Sequence, residues 1–244
     1  VRRAADRRAR HGGRPLDRAL SPHRWHRGRY FGSGQKFFFV HWTGHAIRFD
    51  PIDALTLDTH RSLVSTSIGL ISGLDKDFYD EVAVLVQRVA LYRGHIVVGL
   101  TSPHFFGTVG LSVPQTGEDP LAYYIEHLTH ETSHLYLNMI LSFDPLVTND
   151  RTELFAAPIR TDDRPMLGIF HATFVLSRIV RLIAKYRANA TDDKASELSA
   201  LLESAVARFQ KGCHVLDHSA KFTEVGRQIF LTMTECVLST SGND

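Results

Sequence analysis

Fourteen histidines are spread along the chain, and two of them fall in the run His130-Glu131-Thr132-Ser133-His134, an HExxH pattern. On an α-helix, positions i and i+4 project from one face about a turn apart, so both imidazoles can reach one metal ion. Glu131 lies about 100° round the helix from His130, close enough to act as a base or to steady the ligands. A chance match is expected in about three of a hundred chains this rich in histidine. The motif is therefore read as a metal site.

Its flanks narrow the chemistry. A metzincin would need glycine at position 137 and histidine at 140, where this chain has Leu137 and Ile140. A gluzincin peptidase would need a later glutamate on a helix. Glu153 is the candidate, but it falls in the polar, irregular stretch 146–163. His171 is the better third ligand. It lies in Asp163–Arg178 (DRPMLGIFHATFVLSR), in the second turn of the next expected helix. Arg178 follows it by two turns and so shares its face. A charge set among Phe174, Val175, Leu176, Ile179 and Val180 needs an anionic partner if it is buried. His127 is expected beside the ligands, and His104 in a loop near the mouth of the site.

The elements that must position these residues can be read in outline. Asp119 is a natural N-cap and Pro120 suits the first helical position, so the motif helix is expected from there to about Leu141. Phe143-Asp144-Pro145 stops it. Asp163 and Pro165 start a second helix, to about Arg187. Thr191 caps a third over 192–216 and Thr223 a fourth over 224–238. Earlier, helix-like runs are expected from Asp50-Pro51 through Leu70 and from Asp75 to Tyr92. Two β-like pieces follow, His95–Thr101 (HIVVGLT) and Phe105–Val113 (FFGTVGLSV). The aromatic run Lys36–Phe49 suits a strand pair or a docking surface. The expected fold is mainly α, a single helical domain over 36–244 with a small β element before the metal-binding helix.

Charge is divided unevenly. Residues 1–35 carry ten arginines against Asp6 and Asp17, while the remainder is net acidic. A nucleic-acid-binding arm is one reading of this. The arm has no spaced stacking aromatics, so a poorly ordered basic leader is expected and nucleic acid is not the expected partner. No run of 18 apolar residues is seen, which argues against a membrane span, and the start lacks the apolar core of a signal peptide. Cys213 and Cys236 are too few for a disulfide scaffold; as buried thiols they suggest a reducing, cytoplasmic setting.

The segments HETSHLYLNMILSFDPL and DRPMLGIFHATFVLSRIV resemble the two signature blocks of the HExxH-motif peptide-modification proteins. These are 2-oxoglutarate-dependent peptide β-hydroxylases found beside ribosomal peptide gene clusters. FFGTVGLSVP, ahead of the motif helix, is similar to that family's upstream segment. The resemblance covers about residues 100–185 specifically and 52–240 loosely. It implies Fe(II), 2-oxoglutarate and O2, with a precursor peptide as substrate. The ligands would be His130, His134 and His171, and Arg178 and Arg164 would clamp the carboxylates of 2-oxoglutarate. A third histidine departs from the usual two-histidine, one-carboxylate triad, for which Glu131 or Glu153 would serve. Two other readings stay open: a zinc peptidase with Glu131 as catalytic base, and a non-catalytic peptide-binding partner in a biosynthetic complex.

Overall fold

The computed structural model describes residues 37–40, 46–50, 52–94 and 97–241. The arginine-rich arm 1–35 lies outside the described residues. The chain is mainly helical, as expected, and its strands all precede or closely follow the motif helix. Strands β1 (Phe37–Val40), β2 (Ala46–Asp50), β3 (Arg88–Gly94), β4 (Gly99–Leu100) and β5 (Thr108–Ser112) form one sheet in the order β1-β2-β3-β5-β4. β3 and β5 run parallel, and β4 returns antiparallel on the outside of β5. The aromatic run is thus a strand pair. The expected helix through Tyr92 is corrected, because it stops at Leu85 and Arg88–Gly94 is a strand. Val89, Ala90 and Leu91 pair along β5, and β-branched and alternating residues there satisfy a sheet as readily as a helical stripe.

Between β2 and β3 come helices α1 (Ala54–Leu74) and α2 (Lys76–Leu85). Asp53 caps α1, its carboxylate accepting from the Thr56 N–H at 2.9 Å. Asp75 ends α1 and caps α2, accepting from the Phe78 N–H at 3.1 Å. β5 leads into the motif helix α3 (Pro120–Leu141), which starts as read, with Asp119 accepting from the Leu121 and Ala122 N–H groups. The hydroxyls of Ser112 and Tyr123, 2.6 Å apart, tie the end of β5 to the first turn of α3.

The loop after α3 contains a short strand β6 (Leu154–Phe155), paired with β7 (Arg164–Pro165). Then follow α4 (Met166–Ala188), α5 (Asp192–Ser219) and α6 (Glu224–Ser241). Thr223 holds the start of α6 by accepting from the Gly226 N–H at 2.9 Å. Thr191 stands at the N-cap of α5 without a side-chain hydrogen bond there. α4 is the central beam: it packs on α3, α5 and α6 and buries Ile169, Phe170, Val175 and Ile183 almost completely. Gly212 of α5 lies so close to Thr173 that any side chain there would collide with it. By length and composition α4 is apolar enough to cross a membrane, against the sequence expectation. Most of its apolar surface is buried in this core, which accounts for its hydropathy. Cys213 and Cys236 are half-buried rather than buried, and unpaired with each other.

Asp75 is the anchor of the α1–α2 corner. It is 3% exposed and accepts from Arg181 at 2.7 Å and Lys185 at 2.8 Å, both on α4. Burial alone would raise its pKa. The Lys185 hydrogen bond, the Phe78 N–H and the two cationic charges outweigh burial and hold it below the usual carboxylate value. A depressed native pKa stabilises the fold above the unfolded value near 4 and is lost as pH falls below it. Asp75→Ala is expected to destabilise by about 2–4 kcal/mol, combining a lost cap with lost charge-assisted bonds. Urea unfolding at pH 7 and pH 3.5 checks this: the difference between wild type and mutant should shrink at the lower pH.

Candidate metal centre

α3 and α4 lie side by side, and the three histidines meet where they touch. His130 and His134 face each other one turn apart, their Nε2 atoms 3.1 Å apart. That spacing suits two nitrogens each about 2.1 Å from a shared ion. His171 reaches His134 from α4, but Nδ1 to Nδ1, at 3.2 Å. Its ring stacks on that of His134 with centroids 5.4 Å apart. The three rings therefore stand in file, with His134 in the middle turning a different nitrogen to each neighbour. Two donors face one point and the third faces away. Among the described residues no group of three or more ligating side chains is arranged to hold a metal ion. The donor set fits a metal through the His130–His134 pair, and His171 would complete it only by turning its ring.

All three imidazoles are held neutral, the state that binds metal. Burial pushes His130 down to about 4, with His127 adding to the effect. Burial takes His171 to about 4 as well. His134 goes well below its usual value through burial and then through the two rings beside it. His130 still keeps 35% of its side chain open to solvent. The cluster is therefore approachable from that side.

Glu131 is the most buried acid here, 4% exposed, with Oε1 4.0 Å from the His130 Nε2. Burial pushes its pKa up to about 7, and a hydrogen bond from Thr101 opposes the rise. Gly99 of β4 lies directly against this carboxyl group, so that a Cβ at position 99 would collide with Oε1. Behind them is the buried Tyr92 of β3, whose hydroxyl donates to the Val97 carbonyl at 3.1 Å and whose own pKa is raised by burial and by Glu131. Sequence reasoning missed Tyr92, Gly99 and Thr101. The available signal was the lone glycine inside HIVVGLT, since glycine within a strand marks a close backbone approach.

The other expected residues divide. Arg178 has the anionic partner that its apolar surroundings require, and it is Glu81 of α2. Its guanidinium is also surrounded by the rings of Phe78, Tyr136 and Phe174, 4.9–5.3 Å from their centroids. Phe174 stands between His171 and Arg178 along α4, and the Arg178 guanidinium, expected as a 2-oxoglutarate clamp, is engaged in this ion pair with Glu81. No local spacing relates Glu81 to Arg178, which is why the sequence hid the pair. Arg164 pairs with Asp162 at 2.6 Å, and Asp162 is more than half exposed. Glu153 reaches Lys221 at 3.7 Å and Asn149 at 3.3 Å, in the exposed loop rather than at the histidines. His127 stacks on Tyr123 and donates from Nδ1 to that residue's carbonyl at 2.8 Å. His104 sits in a single 3-10 turn, Pro103–Phe105. No protein-family model matches the chain, and no curated protein matches it significantly.

Proton counting tests this electrostatic arrangement. At pH 6 the imidazoles carry no proton to lose, whereas Glu131 does, so a bound cation should expel about one proton, from Glu131. At pH 8, above the Glu131 value, release should fall towards zero. Zn(II) titrations by calorimetry in buffers of different ionisation enthalpy measure it directly. Glu131→Gln should bind the ion without release at pH 6, and release persisting there in that variant would mean the imidazoles are protonated.

Proposed function

We propose that this chain is a metal-dependent enzyme acting on a peptide, and that its reaction is hydroxylation of a side-chain β-carbon using Fe(II), 2-oxoglutarate and O2. The observation that carries the reading is the arrival of His171 from α4 beside the HExxH pair of α3. Neutral imidazoles suit Fe(II), and the two segments that supply them are the ones resembling peptide β-hydroxylases. Bound iron and its co-substrate would supply the oxidising power, with 2-oxoglutarate decarboxylated to succinate and one oxygen atom entering the C–H bond.

The roles of the chain's own residues follow from their surroundings. His130 and His134 would hold the ion, with His171 as third ligand once its ring has turned. Glu131, near half-ionised at neutral pH, holds a proton next to them, and Tyr92 and Gly99 keep water away from its buried side. Arg164 is the better anchor for a 2-oxoglutarate carboxylate. Its present partner Asp162 is an exposed acid, and such surface pairs contribute at most about 1 kcal/mol, so an incoming carboxylate can replace it. The planar guanidinium would hold both oxygens.

A zinc peptidase is the second reading, favoured by the approach of Glu131 to His130, which places a carboxylate where a general base works. Metal analysis of protein purified without oxygen, followed by succinate detection, separates the two. Arg164→Lys should raise the apparent 2-oxoglutarate requirement at least about tenfold with iron content unchanged. Arg178→Lys should instead lower the melting temperature and leave that requirement alone. Glu131→Gln should retain 2-oxoglutarate turnover; specific peptide cleavage by wild type, lost in this variant, would replace the hydroxylase with the peptidase.

A further inference from the structure

The outermost strand of the sheet lies on the glutamate of the motif. In an antiparallel pair, opposed residues alternate between those that exchange both hydrogen bonds with the partner strand and those whose N–H and C=O point away from it. Gly99 opposes Leu111 and Leu100 opposes Gly110, and the Ser112 N–H donates to the Val98 carbonyl at 2.9 Å. Val98 and Leu100 are therefore the bonded positions. The N–H and C=O of Gly99 point outward from the sheet, and among the described residues no strand pairs on that side.

Side chains alternate across a strand. Gly99 faces α3 and the Glu131 carboxyl group. Val98 and Leu100 face the other way, 51% and 36% exposed. Phe105 and Phe106, at the end of the connection to β5, are also exposed, at 57% and 47%. Natural edge strands are blunted by lysine, proline or inward charges. The stretch Val97-Val98-Gly99-Leu100-Thr101 has none of these. Among the described residues it is a short, uncharged, apolar edge against the histidine cluster.

We infer that the outer edge of β4 is a docking rail for an extended peptide, which adds as a further strand through the outward N–H and C=O of Gly99. An extended main chain offers a donor and an acceptor in this register, as a peptide does when it adds to a sheet edge, and a small anion offers no donor. Alternate side chains of the added strand would face α3, over Glu131 and the histidines. Those between them would lie with Val98 and Leu100. Gly99 has no side chain to hold the incoming backbone away. The inference rests on the reading of this centre as one that acts on peptides, and it supplies the means by which a β-carbon is brought there.

The test needs neither metal turnover nor a known substrate. A phage-displayed library of random linear decapeptides is selected against the full chain in the presence of EDTA, and the selected peptides are remade with single backbone N-methyl groups. The rail predicts a loss of affinity of at least about tenfold at the one residue whose N–H bonds to Gly99, and little change at its two neighbours. Amide exchange at Gly99 should slow by a similar factor on binding, while Leu100, already bonded to β5, should not change. Val98→Lys with Leu100→Lys should weaken peptide binding and leave Zn(II) uptake at the wild-type level. Selection of no peptide, equal N-methyl effects at neighbouring residues, or unchanged exchange at Gly99 would each overturn the rail. So would Gly99 protection that rises with protein concentration alone, because a second copy would then occupy the edge. Peptide-dependent succinate formation without the single-residue N-methyl effect would sink the rail and leave the hydroxylase. That single-residue effect in a protein that never makes succinate would do the reverse.

Discussion

Asp75 closes the corner between α1 and α2 and at the same time accepts two cations from α4. A buried carboxylate is tolerated only where hydrogen bonds and opposite charge replace its water, so this residue fixes the distance and rotation of α4 against the corner. Arg178, one turn nearer His171, repeats the arrangement with Glu81. The two acids and their three cations together set which face of α4 turns towards α3. Tyr136 of α3 stacks on Phe174 of α4, with ring planes 11° apart, and keeps that setting in register. His171 meets His134 as a result. The geometry of the histidine cluster is thus a consequence of charges placed on the far side of an aromatic layer.

The electrostatic character of the centre follows from the same packing. Three imidazoles without charge and a carboxyl group that keeps its proton to near neutrality make a region with almost no net charge. It can be enclosed without a counter-ion. A divalent cation entering it would find donors already deprotonated, and the carboxyl group would become the one site able to offset its charge.

Legibility in the sequence follows the range of the interaction. The α3 start was readable because Asp119-Pro120 acts within one turn, and the α6 start at Thr223 for the same reason. The HExxH pair was readable because helical geometry alone brings i and i+4 together. His171 was reachable because a loop and a following helix leave few places for it. The strand at Arg88–Gly94 was not readable, since its apolar residues fit both periods and the parallel neighbour β5 decided the matter. Arg178 was correctly seen to need an anion, but Glu81 comes from an earlier helix with no spacing rule to point to it. The orientation of His171, nitrogen to nitrogen with His134, depends on ring rotation and is invisible to any pattern of residue types. The hydropathy of α4 was underestimated because its charges cluster late in the helix, beyond an apolar first half.

The loop leaving the histidine helix has a consequence for the order of synthesis. Leu146, with φ of 63°, lies against Gly226 so tightly that no side chain fits there. Val147 bridges to Phe222, and the Thr148 N–H donates to the Lys221 carbonyl at 2.7 Å. The exit of α3 is therefore completed by residues 73 positions further along. On the ribosome, every histidine of the cluster is out of the tunnel while the partners that fasten the end of its helix are still to be made. Such distant closures form late. The exit of the histidine helix is a structure that the nascent chain cannot finish until the α5–α6 turn and the start of α6 have docked.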